Sequence, residues 1–230
     1  MNLIELTDIK KIYKMGDQEI KALDGVSISI DQGEFVAIMG PSGSGKSTLM
    51  HIIGCLDDFT KGTYFLNSKN ISKYSSNELA EVRNSEMGFV FQAYNLLINL
   101  SALENVMLPL AYAGKNSKGS TKENAFKLLK KVGLENRRRN RPVEMSGGEQ
   151  QRVAIARALM MNPQIILADE PTGNLNSKGA REIIEILKEL NEEGKTIIYV
   201  THDEEIGAQA KRIVHVRDGK IIAREHSQWI

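Results

Sequence analysis

One stretch, Gly40-Pro41-Ser42-Gly43-Ser44-Gly45-Lys46-Ser47-Thr48, constrains this chain more than any other. It follows the apolar run Phe35-Val36-Ala37-Ile38-Met39 and precedes residues 47–53, which read as helix. The pattern G-x-x-x-x-G-K-[ST] between a strand and a helix is that of a phosphate-binding loop. Its glycines let the backbone turn tightly, so several N–H groups converge on one concavity at the positive end of the next helix. Lys46 is placed to reach the β- and γ-phosphates of a bound polyphosphate, and Ser47 to offer its hydroxyl to Mg²⁺. The plain alternative is a Gly/Ser-rich turn with a chance lysine. The flanking strand and helix argue against it.

The 230 residues suffice for a sizeable core in one large domain or two small ones. A formal net charge of +1, with 26% charged residues, gives no global drive toward nucleic acid or anionic lipid. Cys55 is the single cysteine, so no internal disulfide is possible and a reducing compartment is expected. The start of the chain alternates polar and apolar residues and does not read as a signal peptide. No run of about 18 apolar residues occurs, so direct membrane insertion is not expected.

Residues 3–39 read as an antiparallel β region, with short strands at 3–9, 19–23 and 26–30 and turns at Gly16-Asp17 and Asp31-Gln32-Gly33. Another strand is expected at 61–66. Further on, 77–84 reads as helix and 87–91 as a short strand ending at Gln92. Residues 101–113 read as a helix capped by Ser101 with Glu104 completing a capping box, which Pro109 is expected to kink or end. Residues 114–120 are a polar loop, and 121–132 an amphipathic helix. The basic run Arg137-Arg138-Arg139-Asn140-Arg141 has no interleaved aromatics and reads as a solvated surface turn. From there helices and apolar strands alternate: helix 148–161, strand 164–168, helix 177–191, strand 195–200, then two edge strands at 213–216 and 220–224. Apolar strands between helices imply a parallel sheet covered on both faces.

The strand Ile165-Ile166-Leu167-Ala168 delivers Asp169 and Glu170 at its carboxyl end, where ligands of open α/β sheets bind. Asp169 is a candidate Mg²⁺ holder and Glu170 a candidate general base. An acidic strand end entering the Pro171-Thr172-Gly173 turn would look the same, but a phosphate loop in the same chain favours the functional reading. His202 follows the next strand and reaches the same edge, which suits a γ-phosphate contact. Gln92 could ligate Mg²⁺, or orient water and sense the γ-phosphate, or be an ordinary loop glutamine; chemistry alone leaves these open. Ser146-Gly147-Gly148-Glu149 opens a helix with Ser146 as cap, which makes a second anion site. A single phosphate loop has no use for it, but two chains facing head to tail would each complete the other's site.

Taken together, these residues resemble the ATP-binding subunit of an ABC transporter over nearly the whole chain. Gly40 to Thr48 is similar to the Walker A motif, and 165–170 to Walker B with its catalytic glutamate. Met145-Ser146-Gly147-Gly148-Glu149 is similar to the family signature, Gln92 to the Q-loop glutamine and His202 to the switch histidine. Tyr13 fits the aromatic that stacks on adenine. The resemblance implies an α/β P-loop NTPase with a RecA-like core, an antiparallel β subdomain and a helical signature subdomain. It places the core and β subdomain in 1–91 and 162–230, and the helical subdomain in 92–161. It implies ATP and Mg²⁺ as cofactors and a homodimer formed on ATP binding. It also implies a separate integral membrane permease, touched by the helical region after Gln92, and a place on the inner face of the cell membrane. The stretches 91–97, 101–106 and 169–175 resemble the branch serving macrolide export, lipoprotein release and antimicrobial-peptide efflux. Two departures stand out. Met145 replaces the usual Leu, a mild apolar swap. Asn176 replaces the usual D-loop Asp and keeps an acceptor without the charge, which is expected to alter communication between the paired sites. With the sequence ending soon after Ile222, the C-terminal regulatory domain of some relatives is not expected. Outside transport, a cell-division or signalling ABC ATPase would use the same site, whereas a P-loop kinase would give Ser146 no role.

Overall fold

A computed structural model describes residues 2–16, 18–113 and 121–226. The polar loop expected at 114–120 and the Asp17 half of the first turn lie outside the described residues. The N-terminal half opens with a long antiparallel pair, β1 (Asn2–Met15) and β2 (Gln18–Asp31). With β4 (Lys61–Leu66) and the short β5 (Lys69–Asn70) they form a sheet of order β2-β1-β4-β5.

The second sheet has order β10-β9-β3-β8-β7-β6. It joins β3 (Phe35–Met39), β6 (Met87–Phe91), β7 (Ile165–Asp169), β8 (Thr196–Val200), β9 (Arg212–Arg217) and β10 (Lys220–His226). All pairs are parallel except β9 with β10. Two expectations change here. Residues 35–39 are no part of the antiparallel region: every β3 side chain is buried, as in a strand covered on both faces, and β3 sits between β8 and β9. Of the two expected edge strands only β10 lies at the edge, because β9 pairs with β3 on its other side.

Strand alternation sorts the core into two clusters. Val36, Ile38, Ile165, Leu167, Ile198 and Val200 face the antiparallel sheet and helix α1 (Lys46–Ile53). Phe35, Ala37, Ile166, Ala168, Ile197 and Tyr199 face the opposite way. They share a core with helices α3 (Ala102–Tyr112), α4 (Lys122–Lys131), α5 (Gly147–Ala158) and α6 (Ser177–Glu192). The remaining helices are α2 (Ser76–Glu86) and the one-turn α7 (Glu204–Gly207). Capping boxes start α2 at Ser75, α3 at Ser101 and α5 at Ser146. Helix α3 continues three residues beyond Pro109 to Tyr112. Pro109 removes only one ladder donor, the one that would reach the Asn105 carbonyl, and the N–H groups of the residues after it can continue the helix to Tyr112.

Candidate functional site

The parallel strands end on one edge of the sheet in the order β3, β8, β7, β6, and each delivers an expected group there. After β3 comes Gly40 and the loop, after β8 His202, at the end of β7 Asp169 and Glu170, and after β6 Gln92. Buried apolar strands fix these positions through register: Phe91 pairs with Asp169, and Asp169 with Val200.

In the loop, Gly40 has φ 150° and Gly45 φ 102°. A Cβ would lie 2.0 Å from the Val216 carbonyl oxygen at Gly40, and 2.5 Å from that of Ala22 at Gly45. Only glycine combines those dihedrals with that approach. Lys46 is buried and its Nζ donates to the Pro41 carbonyl at 2.8 Å. Ser42 and Gly43 are exposed at the tip, while Ser44 is buried with its hydroxyl lacking any hydrogen-bond partner. Helix α1 has Gly45 as its N-cap and no side-chain cap, so its first N–H groups gain no partner from a capping side chain. An orphaned hydroxyl, uncapped amides and an ammonium on one concave loop form a donor set that a polyphosphate satisfies.

Beside it, burial pushes the Asp169 carboxyl above its usual range. His51 opposes that rise, Glu170 adds to it, and the Ser47 hydroxyl and Lys46 oppose it in turn. The Ser47 hydroxyl lies beside Asp169 and favours its charged form. Hydroxyl and carboxylate are hard oxygen donors that suit Mg²⁺. Glu170 has φ 44°, a conformation costing about 1–3 kcal/mol for a residue with a side chain. Its N–H donates to the Val200 carbonyl at 3.0 Å, and its Oε1 lies 2.9 Å from His202 Nδ1. Gln92 is exposed, with its amide 3.5 Å from Asn174 Oδ1 and its carbonyl accepting from Asn174 at 3.0 Å. A Cβ on Gly173 would come within 2.7 Å of the Gln92 amide nitrogen, so the turn after Glu170 is shaped to this side chain.

Tyr13 lies on β1, not on the sheet edge. Its hydroxyl donates to Asp57 Oδ2 at 2.6 Å and also meets the Thr48 side chain. Lys11 Nζ sits 4.9 Å from its ring centroid.

The second expected anion site is at the start of α5. Ser146 Oγ accepts from the Glu149 N–H at 3.3 Å, and the Glu149 carboxylate accepts from the Ser146 N–H at 2.8 Å. Glu149 also accepts from Arg137 Nε at 3.0 Å, so one arginine of the basic run has a definite partner. Its carboxyl is held below the usual range, first by the Ser146 N–H. Gly147 is packed so that a Cβ would meet the Tyr94 hydroxyl at 2.7 Å. Asn176 caps α6 by accepting from the Gly179 N–H at 2.9 Å.

Residues 23–173 match the family model described as ABC transporter. The chain belongs to the ABC transporter family. A macrolide export ATP-binding/permease protein of Bdellovibrio bacteriovorus is 53% identical over 226 residues, 98% of this chain and 34% of that protein. The chain thus spans about a third of the length of such relatives. An uncharacterised ABC transporter ATP-binding protein of Thermotoga maritima is 52% identical, over 95% of this chain and 93% of its own length. The fold superimposes with a TM-score of 0.90 and 44% identity on a dimeric, post-hydrolysis ATP-binding cassette bound to ADP and Pi, covering 99% of this chain and 100% of that one. A dimeric bacterial ABC transporter cassette follows, with a TM-score of 0.88 and 45% identity.

Within this ABC fold, sequence reasoning passed over several residues at the site. Asn174 grips Gln92. Arg157 donates to the Tyr94 carbonyl at 2.9 Å and also to that of Asn95, holding the segment after Gln92 against α5. Gln151 is fully buried and donates to the Pro171 carbonyl at 2.7 Å. It lies on the Ala154, Ile155 and Ala158 face of α5, and a polar residue in phase with an apolar stripe was the available signal.

Proposed function

We propose that this chain is the ATP-binding and ATP-hydrolysing subunit of an ABC exporter, driving separate membrane subunits by dimerising around ATP. The observation that carries the reading is the contact between Glu170 and His202, one strand from the phosphate loop and next to the Asp169–Ser47 pair. Lys46 and the α1 amides hold the phosphates. Ser47 and Asp169, with Gln92, hold Mg²⁺, which supplies charge neutralisation across the phosphates. Glu170 accepts a proton from the attacking water, and His202 fixes its carboxylate and contacts the γ-phosphate. Tyr13 offers its ring to adenine. Ser146, Gly147, Gly148 and Glu149 of a second copy close the site, which the dimeric cassettes among the structural relatives support.

The helical unit 92–161 carries the signature and faces the permease. An apolar groove of about 920 Å³, lined by Leu56, Arg83, Phe89, Leu108, Pro109 and Tyr112, suits that membrane partner. No helix among the described residues is long and apolar enough to cross a membrane. The proposed place of the subunit, peripheral on the inner face of the cell membrane, follows from the permease partner proposed for it. The similarity to macrolide export ATP-binding/permease proteins favours export over a role in division control or signalling.

Glu170→Gln tests the chemistry. Nucleotide binding is retained, turnover falls by about 10²–10⁴-fold, as for loss of a general base, and gel filtration with Mg-ATP shows a trapped dimer. Persistent turnover, or monomer alone, refutes the reading.

A further inference from the structure

We propose that Gln151 is a positioning residue for the reaction, holding Glu170 in place through the Pro171 carbonyl and so tying the catalytic carboxylate to the signature helix of the same chain. Glu170 combines a left-handed φ of 44° with a position immediately before proline. Each restricts the backbone, so the conformation persists only where neighbours over-determine it. Two of the bonds around it are local to the sheet edge: Glu170 N–H to the Val200 carbonyl, and Gly173 N–H to the Glu170 carbonyl, both at 3.0 Å. The third is shorter and comes from another element: Gln151 Nε2 donates to the Pro171 carbonyl at 2.7 Å from within α5.

The chemistry of this glutamine points the same way. Its Oε1 is buried with no hydrogen-bond partner. An interior selected for stability alone would not keep an unpaired acceptor. The amide is explained by its N–H, which reaches Pro171 and brings the idle oxygen with it. Its neighbour Gln150 instead donates back to the Met145 carbonyl at 3.1 Å and serves only its own helix start. Gln151 therefore lies five positions from Ser146 along its helix, while its side-chain amide holds the residue directly after Glu170. A displacement of α5 where the second copy's nucleotide engages it moves the turn that carries the base.

The inference rests on Glu170 being the general base. Gln151→Met conserves volume and removes both the donor and the unpaired oxygen. Its Tm is expected to be no lower than the parent's, its KM for Mg-ATP within about twofold, and its kcat about tenfold lower or less still, since small displacements of catalytic groups are costly. Gln151→Asn, with a shorter reach, behaves alike. In a Glu170→Gln background the Gln151→Met change has no further effect on residual single-turnover hydrolysis, because the two act as one unit. That double variant still forms the Mg-ATP dimer. A kcat within twofold of the parent for Gln151→Met, or an additive loss in the Glu170→Gln background, overturns the inference. If Glu170→Gln itself keeps turnover, the reading of the base has failed instead.

Discussion

The molecule has two helix starts proposed to meet anions, and they are built on opposite plans. Helix α1 begins at a glycine with no side-chain cap, beside a buried lysine and the Asp169–Ser47 pair. Helix α5 begins with a complete capping box, Ser146 and Glu149 satisfying each other's backbone N–H. The first start leaves its donors open and surrounds them with groups that hold charge and do chemistry. The second has its first turn partly satisfied, and the only charged side chain in its capping box is acidic. A site of the first kind binds alone, while one of the second kind adds contacts to an anion that something else already holds. That asymmetry is what a head-to-tail pair of identical chains requires.

The comparison breaks first at Lys46. Lys46→Ala removes a charge-assisted contact worth about 1.5–3 kcal/mol, and ATP affinity is expected to fall roughly 10- to 100-fold by titration calorimetry. Ser146→Arg acts on the other start: binding by the monomer stays within about twofold, while the Mg-ATP dimer is lost and turnover falls by about tenfold or more. Full turnover in that variant would revive the kinase alternative.

Asp169→Asn separates chemistry from stability on the α1 side. The folded carboxyl is held above its usual range, chiefly by burial, so the fold prefers it neutral. Stability then falls as pH rises from the unfolded value through the folded one, and stays lowered above it. In EDTA at neutral pH Asp169→Asn is therefore expected to melt at a higher temperature than the parent. The advantage disappears below about pH 4, where the unfolded carboxyl is also protonated. Mg²⁺-dependent turnover is lost in the same variant. A lower Tm at neutral pH would show that the Ser47, His51 and Lys46 contacts outweigh burial.

The two starts also differed in how well the sequence announced them. The loop from Gly40 to Thr48 and the strand ending in Asp169 and Glu170 are read by local rules: glycine spacing, an apolar run, then charge. The capping boxes at Ser101 and Ser146 were likewise legible, because a cap and its partner lie three residues apart. What escaped depends on distant partners. The place of β3 in the parallel sheet is set by its pairing with β8 and β9, which its own residues do not encode. Arg137 looked like one of several solvated arginines until the fold brought Glu149 to it. Gln151 was hidden because its target, Pro171, lies in a different element. The left-handed φ of Glu170 was unreadable, since nothing in its side chain requests it.

Arg137 gives the smallest effect and the finest test of the contrast. Its guanidinium is half exposed in the ion pair with Glu149, so the pair adds about 0–1 kcal/mol to stability, and Arg137→Ala should leave the Tm unchanged. Its consequence is electrostatic. Glu149 keeps its negative charge, because the Ser146 N–H alone holds the carboxyl low, and that charge then stands uncompensated where a phosphate from the opposite chain must approach. The dimerisation constant of Arg137→Ala with Mg-ATP, read in a Glu170→Gln background by analytical ultracentrifugation, should weaken by about two- to fivefold at low salt. The deficit should shrink toward one at about 1 M salt, where the Debye length is about 3 Å. Arg137→Lys keeps the charge without the Nε contact and should recover most of the loss. ATP affinity of the monomer should not change in either variant, since the α1 site carries its own cation in Lys46. A deficit independent of salt, or one shared by monomer binding, would mean that Arg137 supports the loop's shape instead of its potential, and the two helix starts would then be less unlike than their charges imply.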